Sequence, residues 1–396
     1  MADPPSGGAR RLPVLAAALL LALATGAPTR AASGGATQAT EEIPEEYLLD
    51  VAVEVLDPGV PDPATTPPKK MEGVFPDLRR SEARFIPMRI KETLESTGHW
   101  GAVRVVPAGT SSVELTLGGE IRESSGLELV VKIWAVDASG RRWFEKKYKG
   151  EADFRVYAEE EEFVGRDPYQ TVYDQLANDL LAEKRKLTAD EILELRQSSR
   201  LRFAADLVPD VFGDYLASNS RRTRYKLKRL PSEDDPMMDR VARIRERDYM
   251  LVDTLNEYYG QFSTSMEEPY DNWRAFSYEE QVALAELRRQ ARLRKIIGAL
   301  AIFGAVVSDA DSSAERAARD AAMIGGIAAI QSGIAKGQEA KMHAEALGEL
   351  AASFESEVAP MVVEIEGETV RLTGSREDQY SSWRQLLQRI YANEIR

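Results

Sequence analysis

Apolar and polar residues alternate from Leu49 to Leu56, with Leu49, Val51, Val53 and Val55 on one side and Asp50, Ala52, Glu54 and Leu56 on the other. That period of two predicts a strand with one packed face. The period then changes. Within Ser81 to Thr97, Ile86, Ile90 and Leu94 recur every four residues with Met88 beside them, which lays an apolar stripe along a helix and puts Pro87 in its first turn. Strands are predicted at Ala102 to Val106, Val113 to Ile121, Leu127 to Val136 and Arg142 to Tyr148. In the longest, Leu127, Leu129, Val131, Ile133 and Ala135 share a face, while Glu128, Val130, Lys132, Trp134 and Val136 make the other partly wet. Asp137 and Gly140 suit a tight turn into the next strand. Asp167, Pro168 and Gln170 read as N-cap, first-turn proline and capping box. They open a helix striped by Tyr169, Val172, Tyr173, Leu176 and Leu180.

From about Thr188 the pattern is helical. Thr188 and Glu191 form a capping box, and Asp235-Pro236 starts a second helix. There Val241, Ile244, Asp248, Leu251, Leu255, Tyr258 and Phe262 recur at steps of three and four, the seam of a helix packed lengthwise on another. Asp248 interrupts that seam and is expected at the helix surface beside Arg243, Arg245 or Arg247; the alternative is a functional carboxylate. Ser277 to Glu280 is expected to cap a third helix, which passes a basic belt (Arg288, Arg289, Arg292, Arg294, Lys295) into the uncharged run Ile296 to Val307.

A second uncharged run, Ala321 to Ala335, carries Gly326 and Gly333, and the polar stretch Ser308 to Asp320 separates the two. Together they predict a close-packed helical hairpin. Each run is too short to cross a ~30 Å hydrocarbon core alone. Either the hairpin is buried in the protein, or Ile296, Ile297, Phe303, Ile324, Gly326 and Gly333 meet a membrane or another copy. Met361 to Ile365 and Thr369 to Thr373 then read as a β-hairpin. A last helix follows, with Trp383 as core anchor among Leu386, Leu387, Ile390 and Tyr391.

The N-terminus changes the picture from fold to address. Arg10 and Arg11 precede the thirteen residues Leu12 to Ala24, nearly all leucine, alanine and valine, and Thr29-Arg30-Ala31 offers a small-x-small cleavage site. That is the pattern of a secretory signal peptide, too short for a membrane anchor. Loss of residues 1 to 31 leaves 48 basic and 64 acidic residues, a net of −16. So acidic a chain is not expected to bind nucleic acid. One basic segment stands out: Arg221, Arg222, Arg224, Lys226, Lys228 and Arg229 fall within nine residues. They form either a solvated edge or loop, or a contact for an anionic surface such as lipid headgroups or an acidic partner.

Chemistry is constrained by what is missing. The chain has no cysteine and two histidines, His99 and His343. Thiolate zinc sites, disulfides, cysteine nucleophiles and a lipidated N-terminal cysteine are therefore excluded for this sequence. His99 is expected to hydrogen-bond within a turn; His343 has only Glu339 near it in sequence, short of a metal site. The run Glu159 to Glu162 lacks the glycine-punctuated spacing of calcium loops and reads as solvated charge. No cofactor is expected.

The run from Leu94 to Val106, with Gly98-His99-Trp100-Gly101 at its centre, followed by Val113-Glu114-Leu115, Gly118-Gly119-Glu120-Ile121 and Asp137-Ala138-Ser139-Gly140, resembles the envelope domain shared by the TolB N-terminal region and the curli-secretion lipoprotein. The resemblance covers about residues 47 to 186. It implies a non-catalytic domain used for contacts inside the bacterial envelope and supplies no site residues. The proline-rich stretch Asp57 to Pro68, five prolines in twelve residues, departs from it.

The expected protein is α+β: a signal peptide (1–31), a linker (32–46), a small antiparallel or mixed sheet with two helices (47–186), a helical region (187–295), the apolar hairpin (296–337), and a helix, β-hairpin and final helix (338–396). It is expected to be exported, to lie in the periplasm or on the periplasmic face of the outer membrane, and to act without catalysis. Its partner would be an envelope protein or membrane surface, with self-association open. The alternative is an envelope hydrolase acting on peptidoglycan or lipid through paired Asp or Glu residues ~5 to 10 Å apart.

Overall fold

A computed structural model describes residues 35–67, 74–110, 113–157, 163, 165–221, 223–232, 234–305, 342, 349, 361–365 and 368–394. Of 280, 283–305, 361–365, 368–369, 377 and 392–394 only the backbone is described. The signal peptide, the Glu159–Glu162 run, Arg222, His343 and the second arm of the apolar hairpin, with Ile324, Gly326 and Gly333, lie outside the described residues.

The fold is α+β. Strand β1 (Val51–Glu54) is followed by helix α1 (Pro76–Ser96), then β2 (Val103–Val106), β3 (Leu115–Ser124), β4 (Glu128–Asp137) and β5 (Arg142–Glu151). They form one five-stranded mixed sheet in the order β2-β1-β3-β4-β5. β1 runs parallel to both neighbours, with Val51 opposite Val103 and Leu115, and the remaining pairs are antiparallel, with Val131 opposite Ile121 and Tyr148. The helical crossover through α1 is what a parallel β1–β2 pair requires. Leu129, Val131, Ile133 and Ala135 are all buried, and Glu128, Lys132, Trp134 and Val136 only half so. From Val131 on, the alternation is the expected one; Val130, expected on the wetter face, is buried, and Leu127, expected on the packed face, lies before the strand and is half-buried.

Helix α2 (Gln170–Lys184) buries Val172, Tyr173, Leu176 and Leu180 and crosses β5 where Gly150 leaves room: a Cβ there would sit 2.4 Å from Val172. Helix α3 (Ala189–Leu207) opens on the Thr188 capping box, then a short hairpin β6 (Leu216–Ser218) and β7 (Tyr225–Leu227) leads to α4 (Pro236–Ala305). The hairpin β8 (Met361–Ile365) and β9 (Glu368–Leu372) precedes the final helix α5 (Arg376–Glu394). One continuous core joins Leu49 and Leu129 of the sheet region to Leu255 of α4 and Leu387 of α5, and a second, smaller one gathers Phe85, Phe262, Tyr270 and Trp273. Each fully buried side chain of leucine size removes enough apolar surface to contribute ~1.5–3 kcal/mol.

Four expectations are corrected. Pro87 is mid-helix, because α1 begins at Pro76. A proline there frees the carbonyl four residues earlier, and Leu56 takes it up, its N–H donating to the Ala83 oxygen at 2.9 Å. Asp167 does not cap α2. Its Oδ1 accepts from the Tyr169 N–H at 2.8 Å, its Oδ2 is drawn to Arg274, and Gln170 turns its amide to Thr93 and Asp174.

No helix starts at Ser277 either. α4 runs through it unbroken, past Pro269 as well, and the Ser277 hydroxyl instead accepts the Gly126 N–H at 3.2 Å from the β3–β4 turn. Last, Asp248 is fully buried, not at the helix surface. It meets Arg384 of α5.

The stretch after the expected cleavage point is pinned. Thr37 N–H donates to Asn178 Oδ1 at 2.8 Å and Ala39 N–H to the Thr97 oxygen at 2.8 Å.

Candidate functional site

Charged side chains that a sequence reader would place in solvent instead form three buried ionic centres, all of them along α4. In the first, Glu82 is fully buried and accepts from Ser124 Oγ at 2.5 Å and Tyr270 Oη at 2.7 Å, with Arg79 Nε at 3.8 Å. Beside it Arg274 donates to Asp167 Oδ2 at 2.8 Å and to Asp271, and lies over the Tyr270 ring. Burial pushes the Glu82 carboxyl above its ordinary value in spite of Arg79 and the two hydroxyls.

In the second centre Glu114 accepts the Asp50 N–H at 3.1 Å and faces Arg245 at 3.6 Å. Arg245 and Arg104 both lie over Tyr249, and Arg104 also pairs with Asp253. The third is Asp248 with Arg384, which reaches on to Asp206. Burial raises the Glu114 and Asp248 carboxyls as well, and each arginine partner offsets part of that.

These centres fasten the sheet region and α5 to one helix. Their signal was in the sequence. Glu82 lies one helical turn before Ile86 on the Ile86-Ile90-Leu94 stripe, and Tyr270 and Arg274 continue the α4 seam at steps of four from Phe262 and Met266. A charge in phase with an apolar stripe is a buried pair in search of its partner, and the partner's identity is what a stripe cannot supply.

Carboxylates gather in one cleft, of about 140 Å³, where Asp137, Glu191 and Glu194 line the wall with Ser139, Arg141 and Ser198. Asp137 is occupied on both oxygens: Oδ1 accepts from Ser139 N, Ser139 Oγ and Arg141 N at 2.6–3.0 Å, and Oδ2 from Trp143 Nε1 at 2.8 Å. Glu191 is held in the capping box, and the Thr188 N–H and hydroxyl hold its carboxyl below the ordinary value. A hydrolase of the expected kind needs one carboxyl kept protonated near neutrality. Glu191, held below its ordinary value, is not placed to be that acid.

A larger open groove of about 550 Å³ runs beside α4 between Met88 and Ser265 and has Glu257 as its one charged lining residue. Among the described residues no cluster of three or more metal-ligating side chains occurs, and no helix is long and apolar enough to cross a membrane.

The basic segment is the β6–β7 hairpin. Arg221, Arg224, Lys226, Lys228 and Arg229 are exposed, and none of them enters a described ion pair. Between them Tyr225 and Leu227 turn inward onto the core, with Arg202 over the Tyr225 ring at 4.5 Å. The Tyr225 N–H donates to the Ser139 oxygen at 2.8 Å, so the hairpin is seated on the β4–β5 turn. Ile296, Ile297 and Phe303 fall on the backbone of the last turns of α4, and nothing brings them to the basic hairpin.

His99 is buried at the α1–β2 turn, bonded to the backbone at Thr37 and Gln38, and burial together with Lys184 and Arg185 lowers its proton affinity. Within the turn only its backbone N–H bonds, to Thr97 Oγ1 at 3.4 Å; the expected turn role of the ring is replaced by bonds to the distant Thr37–Gln38 segment. No family model, curated protein or solved structure matches the chain.

Proposed function

We propose that the chain is an exported, non-enzymatic protein of the bacterial envelope that acts by binding or assembly in the periplasm or at the inner face of the outer membrane. The observation that carries this reading is α4. It is fastened to the rest of the fold by buried ion pairs as far as Arg274, receives the β3–β4 turn at Ser277, touches Tyr157 through Tyr278, and then continues to Ala305. Those last 27 residues amount to ~40 Å of helix. They carry the basic belt and enter the uncharged run from Ile296. A helix fastened to the fold by these contacts and ending in an uncharged run is suited to offer that run to a partner.

The Leu12–Ala24 run and the resemblance of residues 47–186 to the TolB and curli-secretion domain support the same address. Fractionation of the producing cells, with salt and carbonate washes of the membranes and N-terminal sequencing, tests it. The expected product starts near Ala32 and is found in the periplasm or is stripped from membranes by carbonate. A cytoplasmic chain beginning at Met1 or Ala2 overturns the proposal.

A further inference from the structure

The β6–β7 hairpin concentrates positive charge on an acidic protein in a particular form. Arg224, Lys226 and Lys228 are alternate residues of one extended segment, so their side chains leave the same face at intervals of ~7 Å. Tyr225 and Leu227, on the opposite face, are packed against the core. Asn219 closes the loop, its Oδ1 accepting the Thr223 N–H at 2.8 Å and its Nδ2 donating to Thr223 Oγ1 at 2.9 Å. Beneath it Gly140, at φ +78°, comes so close that a Cβ would lie 1.9 Å from the Thr223 oxygen. The row of cations is thus carried on a fixed base.

We propose that this hairpin docks the protein onto the phosphate headgroups of an anionic lipid layer. Three observations select that occupant. Five exposed cations with no carboxylate partner among the described residues, on a chain of net charge −14, favour an anionic counterpart. Neither of the two grooves described above includes any of these side chains, so the surface suits an extended layer and not a single small anion.

Directly after Arg229 stands Leu230, 54% exposed, one of the few large apolar side chains left in solvent. A lone leucine beside a cation row is poor material for a protein interface, which needs an aromatic or arginine anchor in a closed pocket. It suits insertion at headgroup depth. The biological setting rests on the envelope reading, but the contact itself does not.

Flotation of the purified protein with vesicles of phosphatidylglycerol and phosphatidylcholine, against phosphatidylcholine alone, tests it. Flotation is expected with the anionic vesicles only, and should fall as salt rises from ~0.1 M to ~1 M, which shortens the screening length from ~10 Å to ~3 Å. The triple variant R224E/K226E/K228E, checked for an unchanged melting temperature, should bind on the order of 100-fold more weakly. Leu230→Ser should lose less.

Equal flotation with neutral vesicles, salt-insensitive binding, a triple variant that floats like the parent, or no flotation at all each overturns the proposal. So does self-association at low salt that the triple variant abolishes, since it would give the hairpin an acidic protein partner. If the triple variant misfolds, the salt series on the unaltered protein decides. A cytoplasmic location in the fractionation experiment would sink the envelope reading and leave the vesicle result standing.

Discussion

Arg384 Nη1 lies 3.3 Å from Asp248 Oδ2, and this pair, 136 residues apart in sequence, ties the C-terminal helix to the first third of α4. Asp248 is fully buried and Arg384 is mostly so, with its second nitrogen on the exposed carboxylate of Asp206. The two ends of the bond are therefore unequal. Arg384→Met strands a buried carboxylate and should cost about 3–5 kcal/mol. Asp248→Leu leaves Arg384 its bond to Asp206 and should cost less. The double replacement Asp248→Leu with Arg384→Met should recover most of the loss. Denaturant unfolding of the four proteins measures each step, and additive losses in the double variant would show that the two groups do not act as a pair.

The register of the sheet makes a sharper claim. Val131 is 1% exposed and sits between Ile121 and Tyr148, whereas its neighbour Lys132 is on the other face, bridged to Glu145. Val131→Asp buries an unpaired charge and should cost about 4 kcal/mol or more. Lys132→Asp loses a partly exposed ion pair and places like charges together, for about 1 kcal/mol. Equal shifts in unfolding midpoint would contradict the observed register.

Gly140 supports two structures at once. Its left-handed backbone closes the β4–β5 turn, the Gly140 N–H donating to the Asp137 oxygen at 2.8 Å, and its bare Cα admits the Thr223 backbone. Gly140→Ala should cost about 1–2 kcal/mol for the backbone conformation alone. Because the methyl also strikes Thr223, amide exchange at Tyr225 should quicken beyond what that loss explains. Unchanged exchange at Tyr225 would mean the hairpin is seated by its side chains and not by this turn.

Much of the architecture was legible because periodicity reports burial directly. The β4 alternation from Val131 on, the α2 stripe, the Thr188 capping box, the β8–β9 hairpin and the Trp383 anchor all stand where the pattern puts them. The misreadings share a cause: a local signal was outbid by a distant partner. Ser277 and Asp167 carry helix-start chemistry, yet one receives Gly126 and the other Arg274. Pro87 looks like a helix start because nothing nearby in sequence shows that Leu56 will take the orphaned Ala83 carbonyl. For the same reason the α4 seam revealed that Asp248 was out of place and could not reveal Arg384. The basic hairpin was visible as composition, while its seating on the β4–β5 turn, which fixes the direction of its charges, was not.

Lys184 gives a prediction in the alkaline range. Its ammonium is buried on α2, with no carboxylate in contact among the described residues, donates to the His99 oxygen at 2.5 Å and lies 5.2 Å from the Trp100 ring. Burial lowers it from 10.5 to about 8. In the unfolded chain the amine keeps its ordinary value, so between those limits the unfolded state binds more protons and native stability rises with pH. The stability tied to this group is complete above 10.5 and is lost as pH falls through about 8. Over that window the unaltered protein should gain up to about 3 kcal/mol relative to Lys184→Met. Unfolding free energies of the two proteins, measured at intervals across the window, give the difference directly. Parallel curves would show that the Lys184 amine is as well solvated in the native fold as in the unfolded chain.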